Sequence, residues 1–128
     1  MFKQQQIERP KTINDGVSLL AKTVFPAPKE RSVIRVEMPN CSSICPVSGF
    51  PDEGSVVVEY VPDEHCIENN AFKYYLWTYR NVEITCEMKA TWIARHIRQA
   101  ISPNRLKVTV NHNMLGEGVD LTVTVGAI

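Results

Sequence analysis

From about residue 31 the chain carries a regular succession of hydrophobic periods. Ile34, Val36 and Met38 alternate with Arg35 and Glu37, the period of two expected of a strand with one buried face. Residues 55–61 are rich in β-branched side chains and close on Pro62 and Asp63, which predicts a second strand. The period then lengthens. Ala71, Phe72, Tyr75, Leu76 and Tyr79 fall at helical spacing over 68–80. A second stripe, Cys86, Ala90, Ile93, Ile97 and Ile101, predicts a helix over about 82–101, stopped by Pro103. Alternation returns at Leu106, Val108 and Val110, and again at Val119, Leu121, Val123 and Val125, with Gly116, Glu117 and Gly118 as the turn between. The order ββααββ predicts an α+β fold: a four-stranded antiparallel sheet with two helices on one face. Free edges on so small a sheet are a liability unless paired. Subunits assembling into a closed barrel, as a homo-oligomer, are the expected remedy; the alternative is a monomeric α+β sandwich with a charged, solvated edge.

Residues 1–30 lack this periodicity, with a glutamine run at 4–6 and prolines at 10, 26 and 28. They read as an N-terminal arm with a short ordered piece at 17–24, ahead of a single domain over 31–128. The 128 residues fit one domain, and 44% hydrophobic residues suffice for a modest core. Fourteen basic residues balance fourteen acidic ones, which argues against binding nucleic acid through a broad basic surface. The polar opening at 1–11 does not read as a signal peptide and no stretch reads as a membrane span, so a cytoplasmic protein is expected. In that setting Cys41, Cys45, Cys66 and Cys86 read as free thiols rather than a disulfide framework. Cys41 and Cys45 are spaced CxxxC, but no CxxC pair or HxxxH partner accompanies them, so no metal, zinc included, is expected.

The most informative segment is CPVSGFPD at 45–52. Pro46 and Pro51 each fix φ and bias the preceding residue toward extended geometry, while Gly49 permits a sharp turn. A stiff loop then presents a thiol, Cys45, and an acid, Asp52. That pair suits addition to an electrophilic carbon: the thiolate attacks, and the acid protonates the heteroatom that gains charge. Cys66 and Cys86 sit on apolar faces and read as small core residues. His65, His96 and His112 read as surface or packing histidines, and Trp77 and Trp92 as core or interface anchors.

The octapeptide, the element order, and the stretches YVPDE at 60–64 and ENNAFK at 68–73 together resemble QueF, the tunnelling-fold nitrile reductase family of queuosine biosynthesis. The resemblance runs from about Phe25 to the C-terminus. It rests on a CPxTGxPD-type signature, with Ser48 in place of the threonine. It implies a fold similar to GTP cyclohydrolase I, in barrels built from several subunits. The implied substrate is 7-cyano-7-deazaguanine, attacked by Cys45 to give a covalent thioimide with Asp52 supplying a proton. Glu87, with Cys86 before it, stands where the family anchors the guanine-like ring. Ile67, Glu68 and Asn69 match a substrate-contacting stretch that reaches across a subunit interface.

Three departures from the family pattern bear on cofactor use. Cys86 replaces the histidine before the anchoring glutamate. The family's ESKSxK motif, tied to NADPH, reads Glu68 to Lys73 here, leaving Lys73 but putting Asn70 where the other lysine stands. The RGG near the last hairpin reads Gly116, Glu117, Gly118, an acid where a cation should meet phosphate. The resemblance therefore points toward the QueF-like amidinotransferases, in which ammonia resolves the thioimide to an amidine, an archaeosine-type base, without NADPH. The alternative is the NADPH-dependent reductase giving the 7-aminomethyl base. Further alternatives are a decarboxylase of the 7-carboxy compound and a non-catalytic deazapurine-binding module, the ligand being free or within a nucleic acid.

Overall fold

The computed structural model describes residues 9–114 and 119–128. The chain runs α1 (Ile13–Lys22), β1 (Phe25–Pro26), β2 (Ile34–Ile44), β3 (Pro51–Val61), β4 (His65–Cys66), α2 (Asn69–Trp77), a 3₁₀ turn (Thr78–Asn81), α3 (Cys86–Ile101), β5 (Arg105–Met114) and β6 (Asp120–Ala127). The sheet order is β2-β3-β5-β6, antiparallel throughout, with β1 and β4 as a separate two-stranded ladder. The expected turn at 116–118, Glu117 included, lies outside the described residues.

One sheet face builds the core. Val56, Val58 and Tyr60 of β3 and Leu106, Val108 and Val110 of β5 are buried with Phe72, Tyr75 and Leu76 of α2 and Ile93, Ile97 and Ile101 of α3. The stripes read from the sequence are therefore those that pack. The second long helix begins at Cys86 rather than near 82, because Thr85 caps it: its hydroxyl accepts from the Met88 N–H at 3.2 Å. That leaves 82–84 extended, and they pair with the end of β2. The Ile44 N–H donates to Val82 O at 2.9 Å and the Ile84 N–H to Ile44 O at 3.0 Å.

A third helix, α1, stands where the sequence showed only a short ordered piece. Thr12 and Asp15 form a reciprocal capping box, and Leu20 enters the core at 1% exposure.

The strands are longer than the alternation suggested, and β2 hides an irregularity. Its register with β3 passes from Met38↔Val56 to Cys41↔Gly54, so β2 holds one residue more than its partner at a bulge over Pro39 and Asn40. Ile34, Val36 and Met38 face the helices at even positions. Beyond the bulge the odd positions Cys41 and Ser43 do so, at 6% and 0% exposure. On the facing strand, a Cβ on Gly54 would fall 1.9 Å from the Asn111 carbonyl oxygen of β5, so only glycine fits there.

Candidate active site

Cys45 sits at the mouth of the β2–β3 hairpin loop. Its N–H donates to Phe50 O and its carbonyl accepts from the Gly49 N–H, both at 2.9 Å. Gly49 takes φ +75°, the left-handed turn that its lack of a Cβ permits. The base of the loop is pinned by the pairing of Ile44 with 82–84. The partly exposed thiol receives hydrogen bonds from Ser48, including its backbone N–H at 3.5 Å. These bonds, the Ser48 side chain foremost, hold the Cys45 pKa below the ordinary thiol value, while the nearby Asp52 charge opposes them.

Asp52 was expected in the same loop. It lies instead on β3, paired with Ser43 of β2 and Met114 of β5, at 3% exposure. The thiol is thus carried by a pinned loop and the acid by the sheet itself. Behind the acid stands a buried polar chain that the sequence reading did not assemble. Asp52 Oδ2 is 3.4 Å from His112 Nδ1. His112 Nε2 is 3.4 Å from Lys89 Nζ, which also donates to Ser43 Oγ at 3.2 Å. His112 and Lys89 are 1% and 0% exposed. Burial first, and the Lys89 charge second, bring the His112 pKa down to about 4, so the ring is neutral at physiological pH. The signal for this cluster was legible: Lys89 stands beside Ala90 within the buried stripe of α3, and His112 extends the inward alternation of Leu106, Val108 and Val110.

Cys86 is the first residue of α3, buried, with its thiol 3.5 Å from Val110 O. Burial, reinforced by the Glu87 charge, pushes its pKa up to about 11, so it serves as an un-ionised core thiol that also feels Asp52. Glu87 follows in the exposed first turn of α3. Met88 of α3 and Val47 and Phe50 of the loop add exposed apolar surface around this end of the sheet.

Ile67, Glu68 and Asn69 do not join this group within one chain. The Ile67 N–H donates to the Tyr60 hydroxyl at 3.1 Å, and Tyr60 lies eight residues from Asp52 along β3, about 26 Å at the usual strand rise. Glu68 caps α2, its carboxylate accepting from the Ala71 N–H at 2.7 Å and the Asn70 N–H at 3.0 Å. Asn69, exposed, opens that helix. Lys73 is exposed, its Nζ 5.2 Å from the centre of the Tyr74 ring, and lines a cavity of about 80 Å³ with Met38, Trp77 and Arg80. No cluster of three or more His, Cys, Asp or Glu suited to a metal occurs among the described residues.

The antiparallel sheet backed by helices is that of a tunnelling-fold protomer, as its likeness to a solved structure shows. A solved archaeosine synthase described as QueF-Like, in its apo form, matches with TM-score 0.68 and 30% identity, over 78% of this chain and 99% of that one. Among curated sequences, the NADPH-dependent 7-cyano-7-deazaguanine reductase of Chlorobaculum parvum is 37% identical over 77% of this chain and 84% of its own length. The corresponding reductase of Halorhodospira halophila is 35% identical over 77% of this chain and 82% of its own length. The family pattern described as QueF-like protein matches residues 51–127, and the chain belongs to that family.

Proposed function

We propose that this protein is an enzyme that processes 7-cyano-7-deazaguanine through a covalent thioimide on Cys45, which ammonia then resolves to an amidine. The observation that carries this reading is a thiol of lowered pKa on a pinned hairpin loop, close enough to the buried Asp52 to feel its charge. The Cys45 sulfur bonds to the nitrile carbon, one C–N π bond breaks, and Asp52 protonates the nitrogen. Ammonia then bonds to the same carbon, one of its protons passes to the Asp52 carboxylate, and the thiolate departs, returning both Cys45 and the acid. Glu87 anchors the ring, its carboxylate accepting from ring N–H and exocyclic amine together, while Cys86 before it, expected to join it, is buried in the core and only packs. The Ile67–Asn69 stretch comes from a neighbouring subunit, consistent with its lying at the Tyr60 end of β3, away from Asp52, within one chain. The working form is therefore a homo-oligomer.

The second reading, reduction by NADPH, is favoured by the names of the curated relatives. The residues at the matching positions fit a dinucleotide phosphate poorly. The Asn70 side-chain amide is tied to the Glu68 carboxylate at 3.1 Å. A product assay on 7-cyano-7-deazaguanine, with NADPH and with ammonium in parallel, decides between them. An amidine formed with ammonium alone supports the first. Stoichiometric NADPH oxidation with an aminomethyl product establishes the second. Reversible binding with no adduct on Cys45 leaves only a deazapurine-binding module.

A further inference from the structure

The helix layer holds a cavity that the chemistry above leaves unused. It measures about 630 Å³ and lies between the start of α1, the 3₁₀ turn and the middle of α3, and no residue of 45–52 lines it. Its walls carry Lys11, Arg80 and Arg95 and no carboxylate. Among the described residues, none of these three cations has an ion-pair partner. Arg80 is held in place by other means, its guanidinium 4.5 Å from the centre of the Trp77 ring and its Nη1 donating to Trp77 O at 3.2 Å. The charge is felt within the fold: His96 on the cavity wall has its pKa lowered by burial first and by Arg95 second. Composition does not explain the cluster, since the chain carries no net charge. A neighbouring depression of about 610 Å³ shares Lys11 and adds Arg9 and Lys22 against one acid, Asp15, whose carboxylate accepts from the Thr12 N–H. With those five cations and Asp15 set aside, nine of the fourteen basic residues remain against thirteen of the fourteen acidic ones. Positive potential is thus gathered at these two depressions, and concave walls of one sign focus it.

We propose that the cavity lined by Lys11, Arg80 and Arg95 is a binding site for a nucleotide phosphate, distinct from the Cys45 site. Like charges around one depression repel one another, and a dianion among them relieves the repulsion while accepting charge-assisted hydrogen bonds from each. A phosphate supplies that charge in a compact group, and Arg80 and Arg95 present the planar forks that match its oxygens. The remaining wall suits a base. Trp92, half-buried, offers an indole on which a flat ring stacks, and the side-chain amides of Asn14 and Asn81 both donate and accept along a base edge. The volume falls within the span of small-ligand sites, roughly 300–1,000 Å³. Two sources carry the same group: a free mononucleotide, or one nucleotide of a strand whose next phosphates run on past Lys11 toward Arg9 and Lys22. Binding here is non-covalent and needs neither Cys45 nor Asp52.

Calorimetry on the full chain tests this with three probes: inorganic phosphate, 5′-AMP, and a single-stranded oligoadenylate of about twelve nucleotides, within the usual span of single-strand sites. Adenine lacks the guanine edge that Glu87 would hold, so the probes do not report on the Cys45 site. AMP or the oligoadenylate should bind saturably, inorganic phosphate should compete, and the Trp92 indole N–H signal should move during the titration. Lys11→Gln and Arg95→Gln should each weaken binding about tenfold, the loss for one charge-assisted bond, while Arg98→Gln, on the same helix but outside the lining, should stay within about twofold of wild type. Cys45→Ala should bind as wild type does. Equal affinity for AMP and the oligoadenylate supports a free nucleotide as the ligand, and clearly tighter binding of the oligoadenylate supports a strand. Failure of both to bind, with or without binding of inorganic phosphate, overturns the site. So does binding that Lys11→Gln and Arg95→Gln leave unchanged, that Arg98→Gln weakens equally, or that Cys45→Ala abolishes. Adduct formation on Cys45 is measured separately, so failure here leaves the covalent reading standing.

Discussion

Ser43 lies directly across the sheet from Asp52, and it does so because β2 carries one more residue than β3 between Met38 and Cys41. Without the bulge, the parity that buries Ile34, Val36 and Met38 would turn Ser43 away from the helices. Asp52 and Lys89 would lose the hydroxyl lying beside them. The same change of phase carries the chain into the loop at Ile44 and Cys45. One inserted residue therefore sets which face of the sheet receives the site's polar groups.

Replacing the proposed acid tests its role most directly. Asp52→Asn preserves shape but cannot release a proton, so adduct formation on Cys45 should slow by roughly 10²–10⁴-fold, the usual span for general acid work. Time-resolved intact mass reads this. A rate equal to wild type would assign the proton to another group. Cys45→Ala should form no adduct and, as a change at a partly exposed loop position, leave the midpoint of a denaturant titration almost unmoved.

Ser48 is the main cause of the lowered Cys45 pKa. Ser48→Ala removes the side-chain hydrogen bond, so the thiol pKa should rise toward its ordinary value. Alkylation by iodoacetamide followed against pH should show its inflection displaced upward, with slower reaction at pH 7.5. An inflection that stays in place would mean that the backbone N–H groups alone hold the thiolate.

The buried, neutral His112 makes stability depend on pH in a known direction. Unfolded, the ring titrates near 6.5; in the fold, near 4. Above pH 6.5 it is neutral in both states and contributes no slope. As pH falls from 6.5 to 4 the unfolded chain takes up a proton that the native ring refuses. Stability should then fall, by up to about 3 kcal/mol in all. Urea titrations of wild type and His112→Gln across this range should diverge in slope, and parallel curves would contradict the assignment.

Gly54 should tolerate no side chain. A methyl group 1.9 Å from the Asn111 carbonyl oxygen must push β5 away from β3 beside His112. Gly54→Ala should therefore cost about 1–3 kcal/mol, the range for overpacking. It should also slow adduct formation by loosening the His112–Asp52 contact. Unchanged denaturation midpoints would show that the strands separate there without strain.

The sequence by itself determined the elements that depend on local periodicity. The alternation of Leu106, Val108 and Val110 and the helical spacing from Ala71 to Tyr79 specify which faces are apolar, and burial of those faces permits few arrangements. It also marked Cys45 and Asp52, because prolines and a glycine flanking a thiol act over a few residues. The capping box at Thr12 and Asp15 is equally local, but a glycine and β-branched residues mask the helical period there. What tertiary structure decided lies where distant segments meet. The β2 bulge shows only in the register against β3, since an alternation that shifts phase looks from the sequence like one that ends. The chain from Ser43 through Lys89 and His112 to Asp52 draws on β2, α3, β5 and β3. The burial of Lys89 and of His112 can each be read from local period, but no spacing along the chain encodes their meeting, because the partners of Lys89, Ser43 and His112, come from β2 and β5.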